Sequence, residues 1–139
     1  MPSDQVLFRE LSFYTLDHPD PAFLHQNSVD AFTAQHADAG TRPIAVAFAL
    51  IGLYLHLEKN FTGRQVQLAH TRMARRRKQW PRFPLPTQPT SITVAGVLAA
   101  APGPARDAMI SAWCATVWGV WQPSRPQISA LAKSELDID

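Results

Sequence analysis

Residues 44–59 are apolar on nearly every side until His56, and no other stretch of the chain is patterned this way. The run is too long for an ordinary strand, and a helix that is apolar all round is a buried one. Ile44–Lys59 is therefore expected to be a central helix, opened by Thr41-Arg42-Pro43 with Pro suited to the first helical position. A helix before it is expected to start at Asp20-Pro21, where Asp can cap free amides, and to run to about Asp38. Gly40 then offers the left-handed residue that commonly ends a helix.

A third helix follows the capping-box spacing Thr62-Gly63-Arg64-Gln65 and is expected to reach Trp80, where Pro81 stops it. Val66, Ala69, Met73 and Trp80 fall on one side of it. The segment 81–92 holds Pro81, Pro84, Pro86 and Pro89 and reads as a stiff, extended connector. Thr93 can cap a short fourth helix over Val94–Ala101, broken by Pro102-Gly103-Pro104. A fifth spans about Ala105–Gln122, its apolar face made by Met109, Trp113, Val117, Val120 and Trp121. Ser124–Leu136 suits one last short helix.

No alternating strand pattern interrupts this series. The expected fold class is all-α: an antiparallel helical bundle of about five helices around the buried second one, forming a single helical domain over residues 1–139. Apolar residues at 46% and charged residues at 17% are enough to build such a core and exclude a disordered chain. A single cysteine, Cys114, excludes a disulfide scaffold. The longest apolar run, Ile44–Leu55, falls short of the roughly 20 residues of a membrane span. No basic segment precedes an apolar one at the start of the sequence, so a cytoplasmic setting without membrane contact is expected.

Charge adds an asymmetry that the net value of +2 hides. Residues 1–40 carry six acids against one base, Arg9, whereas residues 72–83 carry six bases and no acid. Arg72, Arg75, Arg76 and Arg77 are thus candidates for binding an acidic protein or nucleic acid. The plainer reading is a solvated helix end, paired with the acidic N-terminal part.

The histidines supply the other candidate chemistry. No HExxH, HxxxH or CxxC occurs, so no single helix presents a ready-made metal pair. On the first predicted helix, His25, Val29, Phe32 and His36 share one stripe, with Asp30 on the far side. The two histidines stand ~16 Å apart along the axis, too far to share a metal. Folding the chain back at Gly40 and near Phe61 brings His25, His56 and His70 to about one level. Three imidazoles from three helices would suit Zn²⁺, Fe²⁺ or Cu²⁺, and an open position would lower the pKa of a bound water. Ala45, Ala49 and Gly52 line the helix face that ends at His56 and suit either close packing or a slot for a small ligand. Glu58 reads as solvated or as an acid/base group, and Cys114 as a buried, inert thiol.

The stretch from His25 to His36 (His-Gln-Asn-Ser-Val-Asp-Ala-Phe-Thr-Ala-Gln-His) resembles the His-Gln-x-x-Val-Asp-Ala-Tyr-x-x-Gln-His signature of a family of small bacterial helical proteins catalogued as a domain of unknown function. Ile51–Glu58 resembles the helix that follows in that family, and the similarity spans roughly residues 14–80. Many members also begin with a Cys-x-x-Cys pair, which this chain lacks, and it has Phe32 in place of the usual Tyr. The resemblance implies a histidine-marked helical domain with no assigned activity.

Two functions follow as expectations. One is a metal or small-ligand binding protein using His25, His56 and His70, extending to a metal-assisted hydrolase or lyase. The other is a non-catalytic interaction module using the basic end of the third helix. A homodimer is compatible with either, if the second helix is covered by another subunit.

Overall fold

The computed structural model describes residues 2–17, 20, 22–76 and 79–138, and among these it is all-helical with no strand. Seven α-helices occur instead of about five: α1 (Asp4–Asp17), α2 (Leu24–Gln35), α3 (Pro43–Glu58), α4 (Gly63–Ala74), α5 (Val94–Ala99), α6 (Pro104–Val120) and α7 (Arg125–Leu136), with a 3₁₀ turn at Gln122–Ser124 before the last. None of the described helices is long and apolar enough to cross a membrane.

The central helix forms as its pattern dictates. Residues Ala49 to Leu55 of α3 are buried without a break, and α3 packs on α2, α4, α6 and α7. The capping box also forms: the Gln65 amide donates to Thr62 Oγ1 at 3.2 Å and the Thr62 amide to Gln65 Oε1 at 2.8 Å. This satisfies two amide donors that the first turn of α4 would otherwise leave open. The connector 81–92 contains neither helix nor strand, and Phe83 pins it into the core.

Other boundaries differ for identifiable reasons. Asp20 does cap, accepting from the amides of Ala22 and Leu24 at 2.9 Å each, but Phe23 takes a left-handed conformation (φ 54°) and delays α2 to Leu24. α2 ends at Gln35, and Gly40 is not its left-handed terminator; Gly40 lies in a turn whose amide donates to Asp38 Oδ1 at 2.9 Å. α4 stops at Ala74, six residues before Trp80. Helix α1 has no counterpart among the sequence expectations. Its inner side is held by Leu11 in the core and by Tyr14, whose hydroxyl donates to Asp107 Oδ1 at 2.8 Å.

Candidate functional site

The presence of α1 changes what the histidine stripe of α2 faces. His25 lies in the first turn of α2, and its Nδ1 is 3.1 Å from Thr15 Oγ1 on α1. His36 reaches α1 as well, with Nε2 2.9 Å from Asp4 Oδ2, and its ring stacks on Phe32, which stacks on Phe8 of α1. The stripe is real, but it packs against α1 and not against α3 and α4.

His56 and His70 are held elsewhere. His56 Nδ1 donates to the Phe61 carbonyl at 2.8 Å and so ties the end of α3 to the loop that follows it. His70 Nε2 donates to the Phe48 carbonyl at 2.8 Å, leaving Nδ1 to accept from Gln26 Nε2 at 3.3 Å. His25, His56 and His70 therefore serve three separate sets of hydrogen-bond partners. Among the described residues, no group of three or more His, Cys, Asp or Glu side chains is placed to hold a metal ion. Glu58, read as solvated or acid/base, instead accepts from the Trp118 indole at 2.8 Å and from Arg125, whose guanidinium holds the carboxylate below its ordinary pKa.

The polar cluster that does form in the core is centred on Asp30. The sequence placed Asp30 on the far side of α2, away from the histidine stripe, and that far side faces the core. The Asp30 carboxyl lies in the hollow left by Gly52 of α3, beside His70 Nε2. Gln26 Nε2 donates to Asp30 Oδ1 at 3.2 Å and also bridges to His70. On the same side of α2, Asn27 is buried and its carbonyl accepts from Cys114 Sγ of α6 at 3.5 Å. Asp30 Oδ2 and both amide atoms of Asn27 find no protein partner. Burial pushes the Asp30 pKa well above its ordinary value, and burial followed by the field of Asp30 raises that of the Cys114 thiol. Burial lowers His70. Burial thus disfavours the charged forms of Asp30, His70 and the Cys114 thiol alike, and the thiol is inert.

The raised pKa of Asp30 gives stability a testable pH dependence. The folded chain keeps the Asp30 proton at pH values where the unfolded chain has lost it, so stability falls as pH rises above the ordinary value of 3.8. His25 and His70, lowered in the fold, act oppositely and only below their ordinary value of 6.5. Above pH 3.8 the Asp30 contribution falls with a slope of up to ~1.4 kcal/mol per pH unit. Urea unfolding at a series of pH values above 3.8 should show the wild type losing stability relative to Asp30→Asn as pH rises. Parallel slopes in the two proteins would show that the fold does not raise the Asp30 pKa.

The basic run of the sequence forms a separate, open feature. Arg72 and Arg75 are exposed, Arg75 serving as the C-cap of α4, where cations oppose the helix dipole favourably. Arg76 Nη1 lies 3.9 Å from Glu135 Oε1, a carboxylate whose side chain is only 3% exposed. Arg77, the fourth expected partner-binding residue, lies outside the described residues. His70 of α4 meets Phe48 of α3, and Trp80 packs edge-on against Phe48, so the end of α4 lies near the start of α3. A cleft of about 520 Å³ opens there, lined by Arg42, Pro43, Ile44, Gln79, Trp80 and Arg82. Arg42 was read only as part of a helix start, and no local pattern marks it as a neighbour of Arg82. Among the described residues, no acid from the N-terminal 40 forms an ion pair with an arginine of this corner; the pairing expected by the plainer reading is not seen.

No curated protein and no solved structure matches the chain. A family model described as a family of unknown function (DUF5946) matches residues 5–122, from α1 through the end of α6. With most of its length inside that match, the chain belongs to this family of unknown function.

Proposed function

We propose that the protein is a non-catalytic binding module whose basic corner takes single-stranded nucleic acid. The observation that carries the reading is the cleft in which Arg42 and Arg82 flank Trp80, next to the arginine-bearing end of α4. Arginine forks suit phosphate oxygens, and an indole wall suits the flat apolar faces of bases. The positive end of the α3 dipole, just after Arg42, adds positive potential to the same cleft. The metal-assisted hydrolase or lyase reading draws no support from the contacts of His25, His56 and His70 and is not adopted.

Binding of a labelled single-stranded oligonucleotide, followed by fluorescence anisotropy, tests this. With about five arginines on the backbone, affinity should fall on the order of 100-fold between 50 and 200 mM salt. Arg42→Glu combined with Arg82→Glu should weaken binding at least ~10-fold, because two attractive phosphate contacts become repulsive. Absence of binding at low salt, or binding indifferent to the double reversal, would exclude the nucleic-acid reading. Binding of an acidic polypeptide in preference to the oligonucleotide would exclude it equally.

A further inference from the structure

Four of the five large apolar side chains exposed among the described residues lie on two surfaces that differ in charge. The first is the outer side of α1, where Val6, Phe13 and Leu16 are 51%, 79% and 59% exposed. Their spacing of seven and three residues makes one stripe along the helix, with Arg9 between them and Glu10 and Asp17 along its edge. The second is a groove of about 280 Å³ between α4 and the end of α7, lined by Phe61, Leu68, Ala69, Leu136 and Ile138 with Arg72 at its rim. Leu68 is 63% exposed there.

We infer that the groove is the docking site for α1 of a second copy of this chain, so that copies join head to tail. Charge selects this occupant. α1 carries three acids against one base, whereas at the groove Arg64, Arg72 and, at the C-cap of α4, Arg75 outnumber the exposed Asp137 that lies between Leu136 and Ile138 on the opposite wall. Seating the Phe13–Leu16 stripe on Leu68 places Glu10 and Asp17 towards these arginines, and opposite potentials fix register and partner. A symmetric α1-to-α1 pairing would oppose Glu10 and Asp17 to their own copies. The chain cannot fill its own groove, because its α1 is packed on α2 and α5 while the groove lies beside α4 and α7. The contact is therefore heterologous: each copy offers one stripe and one groove, and assembly does not stop at two unless the ring closes. The surfaces are small, so the association is weak and concentration-dependent.

Two single variants test it, Phe13→Asp on the stripe and Leu68→Asp in the groove. Both positions are exposed, so circular dichroism and melting should remain those of the wild type. In sedimentation equilibrium up to about 1 mM chain, the wild-type mass should rise with concentration above 15.4 kDa, while each variant stays at the monomer mass. An equimolar mixture of the variants should form a complex of twice the chain mass and no larger, because each supplies the surface the other has lost. A wild type that remains monomeric, or a mixture that does, overturns the proposal. So does self-association lost in Phe13→Asp but kept in Leu68→Asp, which would mean α1 pairs with α1. Neither variant removes an arginine, so oligonucleotide binding by each variant, read at concentrations where the chain is monomeric, fails or holds apart from self-association.

Discussion

Gly52→Ala should destabilise the protein by about 3 kcal/mol or more, although alanine is the better helix former by ~1 kcal/mol. A Cβ at this position of α3 would lie 1.9 Å from Asp30 Oδ2, 2.7 Å from Asp30 Cγ and 3.2 Å from His70 Nε2. Asp30 has a short side chain with no open space to move into, being 3% exposed. Yielding would break the bond from Gln26 or push apart α2 and α3, the most extensive helix pair in the fold. Broken buried polar contacts cost ~1–3 kcal/mol for each group left unpaired, and overpacking adds to that. The clash therefore outweighs propensity. Urea unfolding of Gly52→Ala gives the size of the loss, and a double-mutant cycle with Asp30→Ala gives its origin. If the carboxyl is the obstacle, Gly52→Ala should cost at least ~1 kcal/mol less in the Asp30→Ala background. Equal costs in both backgrounds would place the obstruction elsewhere in the helix contact.

Gly52 also shows where sequence reading succeeds and fails. The small residues of α3 were legible as either a packing face or a ligand slot, and what fills the space at Gly52 is the carboxyl of Asp30. That partner was not legible. Helical periodicity shows which residues share a face, but it does not show which face is inside when a helix is covered on two sides. α2 is such a helix, with α1 against its histidine stripe and α3, α4 and α6 around the rest. α1 itself was missed for a related reason. Leu7, Leu11 and Tyr14 face inward while Val6, Phe13 and Leu16 face out, so no single apolar stripe stands out along it. By contrast α3 and the start of α4 rest on local signals, an all-round apolar run and a reciprocal cap, and both appear as expected. The arginine corner was legible in part: charge counting found Arg72, Arg75, Arg76 and Arg82, but only the return of α4 along α3 brings Arg42 to the same cleft. Counting also could not separate Arg75 from Arg76, since the buried Glu135 beside Arg76 comes from α7, far along the chain.

Gln35→Met should cost about 2–4 kcal/mol and loosen the proline-rich connector, although the side chain keeps its length. Gln35 ends α2, and one amide group does three things there. Its Oε1 accepts from the indole of Trp113 at 3.0 Å, its Nε2 donates to the Ile92 carbonyl at 2.8 Å, and the same nitrogen contacts Thr90 Oγ1. Trp113 is fully buried, so without Gln35 its N–H loses its partner with no solvent to replace it. The Ile92 carbonyl lies at the end of a connector with no helix or strand of its own, where a side-chain bond replaces the ladder that regular structure would supply. The loss should therefore appear in two measurements. Urea unfolding should show the lower stability, and amide hydrogen exchange should quicken around Ile92 before the helices open. In a Trp113→Phe background no indole N–H is left to orphan, so Gln35→Met should cost ~1 kcal/mol less there than in the wild type. Wild-type stability in Gln35→Met, with unchanged exchange at Ile92, would mean that packing of α2 on α6 holds the connector in place without this amide.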